Sequence, residues 1–311
     1  MSTRTAQFDL RGKVVAITGG ARGIGLATAN AFAQRGALVA IGDLDAAGAR
    51  VAAEGIGRSA IGLALNVTDR VSLESFLNEV EHRLGPLEVM VNNAGVQHVG
   101  LFADETDAST DIQIAVNLGG VLTGTKLALA RMRPRGRGHI VNLASIGGKI
   151  ASPGGATYSA TKHAVVGLSE SLRGELRGSG IAVSIVMPAI IATEMADGLG
   201  SARGVRPVAP TVVGEAIVRA VLRGRGGDVY VPRYTGAINT AMSVMPRGWR
   251  DAIHHLMRAD TVLTDIDQSA RAGYNTRITA EDQPRTAGPN SAARPPQSAS
   301  PPNPGKQHRC H

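Results

Sequence analysis

Residues 13–25 read Lys-Val-Val-Ala-Ile-Thr-Gly-Gly-Ala-Arg-Gly-Ile-Gly, and a helical pattern follows from Leu26 to Arg35. The run Lys13–Ile17 is short, apolar and β-branched, as a strand buried in a parallel sheet requires. Thr18-Gly19-Gly20-Ala21-Arg22-Gly23-Ile24-Gly25 then turns the chain into the helix. Strand, glycine turn and helix in that order make a cradle for a pyrophosphate. The first helical N–H groups lack partners, and the helix dipole places positive charge there. Gly19 permits the tight turn, Gly23 lets the backbone approach a ligand, and Gly25 lets helix and strand pack closely. A glycine-rich loop without a ligand has the same composition, but it lacks this flanking context.

A second strand, Leu38–Ile41, ends at Gly42-Asp43. Asp43 is placed to hydrogen-bond a ribose diol, and its charge repels a 2′-phosphate, which favours NAD over NADP. Arg22 argues the other way, because a guanidinium beside the turn suits that phosphate, so NADP stays open. Asp43 could instead cap the helix that starts near Ala46, a role Asp45 also suits.

Residues 156–162 read Ala-Thr-Tyr-Ser-Ala-Thr-Lys, so Tyr158 and Lys162 stand at i and i+4 on one helix face. A free phenol keeps its proton until a pH of about 10. A neighbouring ammonium favours phenolate, lowers that pKa and makes the tyrosine a proton shuttle. Ser145, thirteen residues before the tyrosine, supplies a hydroxyl for a substrate oxygen. A surface helix gives the same Tyr-x-x-x-Lys spacing, so the motif acquires weight only from its company.

That company is the glycine turn, Asn92-Asn93-Ala94-Gly95, Asn117, Ser145 and Tyr158-x-x-x-Lys162, all in one order. Together they resemble the short-chain dehydrogenase/reductase family of the classical type, over residues 8–232. The resemblance implies a single α/β domain of Rossmann type, with a doubly wound seven-stranded parallel sheet. It also implies hydride transfer between a nicotinamide cofactor and an alcohol or carbonyl carbon. By the same resemblance Tyr158 is the general acid or base, and Lys162 lowers its pKa and binds the nicotinamide ribose. Ser145 holds the substrate oxygen, and Asn117 holds a water that links Lys162 to solvent. Asn93, Ala94 and Gly95 brace the sheet and border the adenosine ribose. Asn66 and Val67 border the adenine, with asparagine where the family often has aspartate; its carbonyl is still an acceptor. Pro188, Ile191 and Thr193 contact the nicotinamide carboxamide. Ala189 stands where the family often has glycine, and alanine resists positive φ, so a different loop path is expected there.

The 311 residues suffice for one large domain. The single cysteine, Cys310, excludes a disulfide framework. No apolar leader opens the chain and no run of about 20 apolar residues is seen, so a cytoplasmic protein is expected. The net charge is +8, and residues 233–311 hold half of that excess, with ten Lys/Arg against six Asp/Glu. No aromatic-basic interleaving of the nucleic-acid-binding kind accompanies it, so nucleic acid is not an expected partner.

Strands are expected near 13–17, 37–42, 60–66, 87–92, 138–144, 181–187 and 228–231, alternating with helices. The helices near 109–132 and 156–178 are partly apolar. Ile112, Val116, Leu127 and Leu129 exceed one core face, and in the resembled family these helices pair between subunits, so a homodimer or homotetramer is expected. Residues 189–210 suit a lid over the substrate, with Met195 and Leu199 lining a pocket or anchoring the loop. Gln97 and His98 face the substrate or serve structure.

Residues 233–280 read as a helical extension and 281–311 as a disordered, Pro/Ser/Ala/Arg-rich tail. Trp249, Ile253, Leu256 and Met257 form one apolar face. Core or subunit contact is the first reading for it, ahead of closure over a lipophilic substrate. Membrane-surface contact, suggested by Arg247, Arg250 and Arg258, is not favoured. The adjacent His254-His255 point apart, and no metal site is assigned. The overall reading is an NAD(P)-dependent oxidoreductase for a secondary alcohol or ketone, with a lipophilic substrate. The alternative is a nucleotide-binding scaffold or regulator with little turnover.

Overall fold

A computed structural model describes residues 8–200, 207–246, 248–250, 256 and 261–281. Seven strands lie in one sheet: β1 (Val14–Thr18), β2 (Leu38–Asp43), β3 (Ala60–Ala64), β4 (Leu87–Asn92), β5 (Gly138–Leu143), β6 (Ile181–Pro188) and β7 (Gly227–Val231). All neighbours run parallel, in the order β3-β2-β1-β4-β5-β6-β7. Each strand falls within two residues of its expected span. The order reverses direction at β1, whose neighbours are β2 on one side and β4 on the other. In open α/β sheets the ligand crevice opens at that switch, beyond the carboxyl ends of the strands.

The helices are α1 (Gly23–Ala33), α2 (Ala46–Ile56), α3 (Arg70–Leu84), α4 (Asp107–Ile114), α5 (Val121–Met132), α6 (Ala156–Glu175) and α7 (Pro210–Leu222). Period-two alternation sends Val15 and Ile17 to one sheet face and Val14 and Ala16 to the other. The first pair packs with Phe32, Ala49 and Ile217 of α1, α2 and α7. The second packs with Leu73, Leu77, Leu127 and Met132 of α3 and α5. Asp45 caps α2 by accepting from the Gly48 N–H at 2.9 Å, which leaves Asp43 free of that duty.

Helices α4 and α5 are continuous through a π-helical turn, Ala115–Gly120, which the sequence reading lacked. The whole rod Asp107–Arg135 has 29 residues and is long and apolar enough to cross a membrane by length and composition. This corrects the expectation of no such run. The rod packs against β4, β5, α3 and α6, as a core helix does. Leu127 is buried in the core, and Val116 and Leu129 pack against it. These three therefore contribute to the packing on the sheet.

Beyond β7 come α8 (Tyr234–Val244) and α9 (Gln268–Glu281). Of the apolar face expected around residue 250, the two described residues are not packed. Trp249 is 70% exposed and Leu256 68%. Ile253, Met257, Arg247, Arg258, His254-His255 and the tail beyond residue 281 lie outside the described residues.

Candidate active site

The glycine turn lies at the sheet's switch point. Gly19 adopts φ +64°, which an L side chain resists, and a Cβ on Gly25 would collide with the Gly19 carbonyl. Helix α1 starts at Gly23 with no side-chain cap, and Gly23, Ile24 and Gly25 of its first turn line the crevice, where a helix N-terminus suits an anion. Thr18 Oγ1 accepts from the N–H groups of Asn93 and Ala94, both at 3.0 Å. Asn93 Nδ2 donates back to the carbonyls of Thr18 (2.9 Å) and Gly19 (2.8 Å). These bonds fix the turn after β4 against the turn after β1.

A cavity of about 360 Å³ is lined by Gly19, Arg22, Gly23, Ile24, Gly25, Asp43, Asn66, Val67, Asn93, Ala94 and Gly95. All eleven are residues the sequence assigned to a cofactor. Asp43 accepts from the N–H groups of Ala21 (3.0 Å) and Asp45 (3.1 Å), which holds its carboxylate at the rim. Arg22 does not stand free for a phosphate: it pairs with Asp45 at 2.7 Å and lies 3.8 Å from Glu194. Asn66 Oδ1 is likewise engaged, accepting from Thr68 N–H (3.0 Å) and Thr68 hydroxyl (2.8 Å). That turn-forming bond competes with the expected adenine contact.

A second cavity, of about 590 Å³, contains Ser145, Tyr158, Lys162, Pro188, Ile191 and Thr193. Ile24, Asn93, Gly95, Thr193 and Met195 line both spaces, so the two adjoin there. Gln97, Met195 and Leu199 also line the larger one. His98 lines neither, and its backbone N–H donates to Gln113 at 3.1 Å. Ala189 donates its N–H to Val231 at 2.8 Å, which continues the β6–β7 pairing by one residue. The expected lid, 189–210, is described except for 201–206, which lie outside the described residues.

The electrostatics depart from expectation. Burial pushes the Tyr158 phenol above its ordinary value, and a hydrogen bond with Ser145 pulls it partway back. Lys162 is 4% exposed, donates to the Leu143 carbonyl at 3.0 Å, and stands 5.6 Å from the phenol ring centre. Burial lowers its pKa to about 8. The expected depression of the phenol by the ammonium is therefore not the dominant effect, because desolvation of the phenolate outweighs it. Asn117, in the π-helical turn, is wholly buried and lines neither cavity. Its Oδ1 accepts from Val96 N–H and its Nδ2 donates to Val96 carbonyl, both at 2.8 Å. Its carboxamide thus braces the loop after β4. π-Helical turns recur at functional sites, where the offset backbone re-aims a side chain.

The sequence reading missed the far wall. Tyr234, Ile238, Met242 and Met245 from α8 and its end line the larger cavity, with Val262 and Leu263. The spacing 234, 238, 242, 245 is helical and could have been found. Tyr274 of α9 lines the smaller cavity.

Residues 13–204 match the family model described as short chain dehydrogenase. The chain is 35% identical over 188 residues to the 3-oxoacyl-acyl-carrier-protein reductase FabG of Escherichia coli strain K12, covering 60% of this chain and 77% of that protein. It is 35% identical over 222 residues to oxidoreductase UcpA of the same strain, covering 70% and 84%. Among solved structures it is similar to a short chain dehydrogenase/reductase from Burkholderia phymatum in complex with NAD. The TM-score is 0.69 at 24% identity, over 75% of this chain and 93% of that one, a likeness of fold.

Proposed function

We propose that this chain, which belongs to the short-chain dehydrogenase/reductase family, interconverts a secondary alcohol and a ketone with NAD as cofactor. The observation that carries the reading is that the larger cavity, which holds Ser145, Tyr158 and Lys162, shares five lining residues with the cavity beside the glycine turn. The residues fit a dinucleotide. An uncapped helix N-terminus suits the pyrophosphate, and Asp43 lines the cavity where a ribose diol would bond. When bound, the nicotinamide donates or accepts the hydride. The chain does the rest. Ser145 orients the substrate oxygen. Tyr158 donates the proton in reduction, and its buried phenol keeps that proton at neutral pH. In oxidation Tyr158 accepts the proton, a direction that higher pH favours. Lys162, 5.6 Å from the phenol ring centre, would hold the nicotinamide ribose and supply a cation to the phenolate. NAD is preferred because Asp43 faces the cavity while Arg22 is paired with Asp45.

The substrate in this reading is bulky and lipophilic, because Lys162 is the only lysine, arginine or carboxylate side chain among the described residues that line the larger cavity. The protein is a homodimer or homotetramer joined through the α4–α5 rod and α6, where Ile114 is exposed. It works in a reducing cytoplasm, consistent with its single cysteine.

Tyr158→Phe tests the chemistry. Turnover of secondary alcohols and ketones is expected to fall at least about 10²-fold, with NADH binding changed little. Rates with NAD and NADP, compared across the same panel, check cofactor preference. Unimpaired turnover by the variant would show that the proton travels by another route.

A further inference from the structure

Arg271, on α9, is 1% exposed, and none of the ion pairs among the described residues includes it. Its guanidinium donates instead to three backbone carbonyls: Met195 (2.9 Å), Asp197 (3.1 Å) and Gln97 (2.9 Å). Met195 and Asp197 belong to the loop after β6, and Gln97 to the loop after β4. Burying an arginine with no direct ion pair is unfavourable, and here three carbonyl bonds and the nearby Asp197 charge hold it at a junction of two site loops. The same guanidinium lies 4.8 Å from the centre of the Tyr274 ring. Tyr274 lines the smaller cavity, and its hydroxyl accepts from Gln97 N–H at 2.9 Å.

The loop that Arg271 grips closes on the glycine turn at its other end. Glu194 approaches Arg22 at 3.8 Å. A Cβ on Gly23 would touch the Thr193 methyl at 3.3 Å. The start of α9 is seated on the loop as well. Asp267 N–H donates to Gly198 carbonyl at 2.9 Å, and a Cβ on Gly198 would collide with the Asp267 carbonyl. Asp267 then caps α9 by accepting from Ser269 N–H (2.9 Å) and Ala270 N–H (3.2 Å). All of these α9 groups lie beyond residues 13–204 that match the family model.

We infer that α9 is the closing element of the dinucleotide site, with Tyr274 a cofactor-contact residue and Arg271 the positioning residue that ties both site loops shut. The inference rests on the dinucleotide reading above. A tied loop must open for the cofactor to enter and to leave, so loosening the tie accelerates both steps. A merely structural arginine, once removed, weakens binding without speeding entry.

Stopped-flow fluorescence of the full chain with NADH separates these cases. Wild type is expected to bind slowly and release slowly. Arg271→Met is expected to release NADH about tenfold faster and also to bind it several-fold faster. Tyr274→Phe, which removes a single hydroxyl, is expected to speed release about threefold and keeps the test alive should Arg271→Met not fold. Release rates equal to wild type in the folded variants, or faster release with unchanged or slower entry, overturn the inference. Absence of NADH and NADPH binding by the wild type overturns instead the reading on which it rests.

Discussion

His139 shows how burial sets a titration inside this fold. It is 0% exposed in β5, with Nε2 2.9 Å from Ser184 Oγ and no partner for Nδ1 among the described residues. Desolvation lowers its pKa to about 4 from 6.5. Because the folded value is depressed, the unfolded chain binds the extra proton between those limits. The contribution is intact above pH 6.5 and is lost as pH falls through about 4. At about 1.4 kcal/mol per pKa unit, the loss by pH 4.5 is roughly 2–3 kcal/mol. Urea unfolding at pH 7 and 4.5 checks this: His139→Gln should lose less stability over the interval than wild type by about that amount. Equal losses would mean that the imidazole does not govern this window. The same desolvation separates what the sequence conveys from what it hides at the catalytic residues. The i, i+4 spacing of Tyr158 and Lys162 is legible because helical periodicity is local. The direction of the phenol's shift is not, because it depends on walls contributed by segments far apart in sequence. The engagement of Arg22 by Asp45 and of Asn117 by Val96 is hidden for the same reason.

At the scale of elements, the strands were the easiest to read. Val14–Thr18 and Leu38–Asp43 are nearly continuous apolar runs, and burial on both faces of a parallel sheet demands such runs. The π-helical turn at Ala115–Gly120 has no comparable sequence mark, since its residues continue the helical pattern on both sides. The segment after β7 was read in part. The sequence reading singles out the apolar face around Trp249, whereas α8 carries the stripe that meets the cavity. Met242 of α8 is buried against that space. Met242→Trp should narrow the cavity with little harm to the site beneath it. KM for a fused-ring ketone is then expected to rise about tenfold, while that for a four-carbon ketone stays within about twofold. If both substrates respond alike, α8 does not shape the substrate space.

At the scale of the molecule, the division of labour between core and extension has a thermodynamic consequence. All three buried clusters are built from residues 8–231, on the two faces of one sheet. The extension adds to the site while contributing few wholly buried apolar side chains, Met242 and Val262 among the described residues. Each such side chain stabilises by roughly 1.5–3 kcal/mol, so the pair accounts for about 3–6 kcal/mol. For a domain of this size that corresponds to a shift in Tm of roughly 10–20 °C. A chain ending at Pro232 should therefore still unfold in one cooperative transition, at a lower midpoint. The same chain loses the α8 wall and the Arg271 tie together. It should discriminate poorly between bulky and small ketones and release NADH faster than the full chain. Circular dichroism melts and parallel kinetics measure both halves of this expectation. A shortened chain with no cooperative transition would show that the extension belongs to the core, and that the sheet alone does not define the folding unit.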